Sequence, residues 1–249
     1  MTEYTIEIEG ESAAIGSAEE LVVALDVLQG QHDLAVLEQL RPHLPALVDN
    51  PRRLQGLLRV LAPEDQIFLI EALGPGLMAA VGHAPALRDI LAMLAEEQVE
   101  EKLLAALGAA GLRQLIETPE QLAEVLQWVY GHGDLMALEL LGGEALRGLL
   151  EDGYELSLPL NALETTGQMR LIELLGWEHV LGVLHDERDL GCLMRALPAE
   201  LSRKLLEHLP TERLRQLVRD ERDLRAVAPY LEAEELACLR GRLEAADAQ

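Results

Sequence analysis

The chain has 249 residues, a length for one or two domains, and 49% of them are apolar, ample for a core. Acids outnumber lysines and arginines 44 to 20, and the resulting charge of −24 excludes a surface made to bind nucleic acid. Aromatic residues make up only 3%, so leucine and alanine must do the packing, a balance that favours helices over strands.

Residues 1–17 stand apart. Tyr4, Ile6 and Ile8 alternate with Thr5, Glu7 and Glu9, a period of two that predicts a short strand able to pair with a partner's sheet edge. The alternative is an arm without fixed structure, or one resting on the first helices of the chain. From residue 18 the period changes. Leucines that close a recurring apolar phrase stand at Leu40, Leu73, Leu107, Leu141, Leu175, Leu209 and Leu243, spaced by 33 and then five times by 34. A second phrase begins at Leu21, Leu54, Leu87, Leu122, Leu156, Leu190 and Leu224, and the pentapeptide Asp-Glu-Arg-Asp-Leu recurs at 186–190 and 220–224.

Within one period the residues divide into thirds. Leu190, Leu193, Met194 and Leu197 share one helical face, and Pro198 separates them from Leu201, Leu205, Leu206 and Leu209. After Pro210 come Leu214, Leu217 and Val218. Thr118, Asp152, Asp186 and Asp220 read as helix N-caps, with Gln121, Glu155, Asp189 and Asp223 at the capping-box position. Gly74, Gly108, Gly142 and Gly176 come directly after closing leucines, where a helix end favours glycine. Pro159, inside 153–167, marks the place where a bend or a widened groove is expected. The sequence thus predicts an all-α chain: a right-handed α-solenoid of about seven 34-residue repeats, each of two to three short helices. It spans 18–244, with a frayed end at 245–249.

The aromatic, Gly and Pro positions of tetratricopeptide repeats are missing. The three-helix partition instead resembles armadillo-type repeats. The stretch Leu193–Val218, with its Leu-Pro-x-Glu punctuation, is similar to the acidic cytosolic superhelical domain of magnesium transporters and to the armadillo-like domains of the flagellar motor switch. That resemblance implies a superhelical fold and cation sensing.

Stacked repeats turn like residues into stripes. Glu38, Glu71, Glu139, Glu173 and Glu207 occupy one column, an acidic stripe suited to solubility or to a basic protein partner. Arg113, Arg147 and Arg215 form another, three residues after acids in the case of Glu144 and Glu212, which reads as surface helix pairing. Residues 1–30 hold seven acids and no Lys or Arg. Trp128, Tyr130, Tyr154 and Trp177 interrupt the repeat pattern in mid-chain and are the expected partner-binding residues. No catalytic motif, metal spacing or phosphate-cradling loop is present, so neither catalytic residues nor a cofactor are expected. No apolar run reaches the roughly 18 residues of a membrane span, and the Glu-rich start does not read as a secretory leader. Cys192 and Cys238 make no disulfide framework, and the cytoplasm is the expected setting. The reading is a non-catalytic scaffold that binds a protein partner. The alternatives are a domain that responds to divalent cations, and a helical-repeat enzyme or small-molecule chaperone with a site near Trp128, His132 and Trp177.

Overall fold

The computed structural model describes residues 3–8, 10–94, 96–129, 131–231 and 233–247. The chain is all-helical apart from two short strands, with three quarters of it in helix. It divides into two compact bodies.

The first body comprises residues up to Ile116 together with Trp128–Ala137. It opens with a hairpin of β1 (Tyr4–Ile8) and β2 (Glu11–Ile15), antiparallel, with Ile6 opposite Ala13 and Glu7 opposite Ser12. The predicted strand is present, and it pairs within its own chain. The inner face of the hairpin buries Ile6 and Ile15, and the Tyr4 ring stacks on His43 at 4.1 Å. Then come α1 (Ala18–Leu28), α2 (Asp33–Leu40), α3 (Leu44–Leu47), α4 (Pro51–Leu58), α5 (Pro63–Leu73), α6 (Leu77–Val81), α7 (Ala84–Leu91) and α8 (Glu97–Leu115). Helix α1 packs on α4, α2 on α5, and α5 on α8. Leu21, Leu25, Leu54, Leu57, Leu69 and Leu73 are buried between them.

The second body holds Glu117–Gln127 and the chain from Leu138 onward. Its helices are α9 (Pro119–Leu126), the greater part of α10 (His132–Leu149), α11 (Gly153–Ala162), α12 (Thr165–Leu175), α13 (Trp177–Gly182), α14 (Glu187–Ala196), α15 (Ala199–His208), α16 (Thr211–Leu217), α17 (Glu221–Val227) and α18 (Ala233–Asp247). Helix α11 packs between α9 and α14, and α14 packs in turn on α17. Residues 248–249 of the frayed end expected at 245–249 lie outside the described residues, and α18 continues to Asp247.

The caps explain where these helices start. Ser17, Asn50, His83, Thr118, Asp152, Asp186 and Asp220 each accept a hydrogen bond from the backbone N–H three residues on. Their spacings are 33, 33, 35, 34, 34 and 34, so one local device recurs along the chain. Glu20, Gln121, Glu155, Asp189 and Asp223 reach back to the N–H of the residue before the cap, at 2.7–3.0 Å. Glycines end or bend the helices as expected. Gly108 and Gly142, directly after the closing Leu107 and Leu141, take non-helical backbone with positive φ, so α8 and α10 are each two helical segments joined at a kink there. Pro159 lies inside α11, which continues through it to Ala162.

Candidate interaction surfaces

The acidic column lies on the surface, where all five glutamates are exposed. Part of it is neutralised from within the chain. Glu71 is paired with Lys102, whose hydrogen bond and charge hold its carboxyl below the ordinary range. Arg170 reaches Glu139 at 3.2 Å and Glu173 at 3.0 Å. In both bodies the base stands 31 residues after a column glutamate, so the stripe carries ion-paired rungs and is not a bare acidic face.

The arginine column departs from its expected role at Arg147. Instead of pairing with Glu144, its guanidinium donates to the carbonyls of Leu174 and Leu175 at 3.0 and 3.1 Å, capping the end of α12. His179 contacts the Leu150 carbonyl at 2.9 Å, and Arg213 donates to that of Leu184 at 2.6 Å. Long polar side chains thus satisfy helix ends elsewhere in the same body.

One row escaped the sequence reading. Asp33, Gln66, Glu100, Asp134, Gln168 and Ser202 each stand seven residues before a closing leucine, in the first turn of a helix. All are buried except Gln66, which is half-buried. The Gln168 amide donates to the carbonyls of Leu160 and Ala196, at 2.7 and 3.1 Å, near the ends of α11 and α14. Gln66 does the same for Leu58 and Leu61. Asp33 is the exception: both carboxylate oxygens are buried without a hydrogen-bond partner. Burial first, and then the charge of Asp65, push its pKa up.

The mid-chain aromatics that are described fall in both bodies. Trp128 is half-buried in the first body. In the second, Trp177 is half-buried and stacks on His208 at 4.6 Å, whereas Tyr154 is exposed. Tyr130 lies outside the described residues. His132 is exposed, and its backbone N–H donates to Glu97. Among the described residues no group of three or more His, Cys, Asp and Glu side chains is arranged to hold a metal ion, and no helix is long and apolar enough to cross a membrane.

The most open apolar surface lies at the hairpin. Val23 and Val27 of α1 are 63% and 74% exposed. With Ala24, Leu28, Ile8 and Ala13 they border a cleft of about 550 Å³ between the hairpin and α1. The two edges of the hairpin differ. The Gln39 side chain acts as a substitute strand for β1, accepting from the Glu7 N–H at 2.8 Å and donating to its carbonyl at 2.9 Å. Glu7 therefore points its backbone groups away from β2 and forms a non-hydrogen-bonded pair with Ser12, as Thr5 does with Ala14. The N–H and C=O groups of Ser12 and Ala14 consequently point outward from β2, and no hydrogen bond to them occurs among the described residues. The edge of the hairpin along β2 is thus unpaired at Ser12 and Ala14, whereas Gln39 occupies the β1 edge at Glu7. No family model, curated protein or solved structure matches this chain.

Proposed function

We propose that this chain is a non-catalytic protein-interaction scaffold: a right-handed α-solenoid of about seven repeats that holds a protein partner on a largely acidic surface. The recurring caps and the packing of α9, α11, α14 and α17 in series support the solenoid reading. The observation that carries the function is the apolar cleft at the hairpin. Two valines this exposed, side by side on α1 and facing an unpaired strand edge, form the kind of surface that a partner covers. Trp128, Tyr130, Tyr154 and Trp177 are further partner-contacting residues in this proposal, and Tyr154 offers an exposed ring.

The test compares the immobilised parent chain with a V23E/V27E variant of matched melting temperature, each exposed to lysate. A protein held by the parent and lost from the variant supports the scaffold reading. Identical sets of retained proteins would overturn the cleft as the carrying surface, and a parent chain that retains no protein would end the scaffold reading.

A further inference from the structure

We propose that the occupant of the hairpin cleft is an extended protein segment with alternating apolar side chains and basic ends, added as a third strand along β2. This rests on the scaffold reading and specifies the partner of that same surface. The backbone supplies the first requirement. Ser12 and Ala14 present free N–H and C=O groups on one edge, in the spacing that an incoming strand needs, whereas on the opposite edge Gln39 already occupies the N–H and C=O of Glu7.

Side chains supply the second. Ala13 and Ile15 share the inner face of the hairpin with Ile6 and Ile8, and that face looks into the cleft bordered by Val23, Ala24 and Val27. An added strand continues the same pleat, so every second residue of it points into that cleft. Those residues should be apolar and of modest size, such as valine or isoleucine.

Charge supplies the third. Residues 1–30 contain seven acids and no Lys or Arg. Glu11 begins β2, and Glu20 lies at the far end, where it accepts from the Gly16 N–H. Glu19 also borders the cleft, with Arg53 3.6 Å away as a partial counter-charge. A segment with lysine or arginine at both ends meets this acidic rim favourably. A second copy of this chain would set the same acidic edge against itself and bring together two molecules of charge −24.

The probe is a fluorescein-labelled peptide, Lys-Val-Thr-Val-Thr-Val-Lys with blocked ends, titrated into the full chain by anisotropy. A counterpart with Glu in place of both Lys serves as control. Ala14→Pro is the informative variant, since it removes an outward N–H without touching the ladder to β1. The expected result is binding of the basic peptide, weakened at least tenfold by the Glu ends and at least tenfold by A14P at unchanged melting temperature. In the parent chain, which needs no variant, the Ser12 and Ala14 amides should become protected from hydrogen exchange when the peptide is bound. Absence of that protection at saturation, or equal binding to A14P, overturns strand addition. If V23E/V27E abolishes peptide binding and A14P does not, the side chains bind without a third strand: this inference falls and the scaffold reading stands. If the parent chain binds neither peptide, the inference falls, and the lysate comparison alone decides the scaffold reading. A parent dimer made monomeric by A14P would place a second copy on the edge and likewise overturn the proposal.

Discussion

Asp33 occupies a row in which Gln66 and Gln168 donate hydrogen bonds to helix-end carbonyls. An ionised carboxylate has no proton to donate, and both of its oxygens are buried without partners. Its pKa is raised in the folded chain, so the folded state favours the protonated form. The stability that accompanies protonation is fully present below the unfolded value, roughly pH 4, and is lost as pH rises through the raised folded value. Asp33→Asn should therefore stabilise the protein at pH 7 by about 1–3 kcal/mol, the scale of an unsatisfied buried polar group. That gain should vanish near pH 3, and thermal melts of parent and variant at both pH values check it. The row was invisible in the sequence because its members change type, from Asp to Gln to Glu to Ser, whereas the leucine columns repeat one residue. Trp177 was legible only as a departure from its column; its stacking partner His208 lies 31 residues away, and nothing in the spacing announced the pair. If the mid-chain aromatics anchor a partner, Trp177→Ala costs about 2 kcal/mol of affinity, measurable by calorimetry at matched folding.

At the level of elements, the N-caps were the most readable feature, because a cap is a contact over three residues and needs no tertiary knowledge. Thr118, Asp152, Asp186 and Asp220 act as their chemistry dictates. His83 was not recognised, since its cap uses the ring Nδ1, an uncommon acceptor for this purpose. Asp186→Ala should cost about 1 kcal/mol of stability, read as a lower urea midpoint. At Asp220, the N–H groups of Asp223 and Arg222 hold the carboxyl below its ordinary range. That stabilisation is present above the unfolded carboxylate value and is lost as pH falls through the lower folded one, so the α17 end should loosen in acid. Hydrogen exchange of the α17 amides at descending pH checks it. Contacts between helices were not readable. An added Cβ on Gly153 would stand 2.6 Å from the Asp189 Cβ and 2.9 Å from its Cα, because α11 and α14 touch there. Gly153→Ala should lower stability by about 1–3 kcal/mol through overpacking, seen in the same urea titration.

Over the whole chain, a charge of −24 repels itself. Added salt should raise the melting temperature, since screening at 0.5 M acts over only about 4–5 Å. Magnesium at matched ionic strength should do no more than sodium, given that three of the five column glutamates, Glu71, Glu139 and Glu173, are already paired with Lys102 or Arg170. A larger shift with magnesium would revive the cation-responsive alternative. Composition conveyed the sign of the charge but not its internal compensation, because ion pairs between residues 31 apart depend on how neighbouring helices face each other.

The recurring cap also makes the chain divisible. Asp186 and Asp220 open the same pentapeptide, and the N–H preceding each is held by the acid three residues after it, Asp189 or Asp223. Excising 186–219 joins His185 to Asp220 and rebuilds an intact cap at the splice, with Asp223 in the place of Asp189. Chain length should therefore be adjustable in whole periods: this shortened protein is expected to melt cooperatively, whereas excising 186–202, half as many residues, brings Arg203 to the cap position and leaves the seam unsealed. The cap is in this sense a cut site for duplication and loss, recurring along the sequence every 33 to 35 residues.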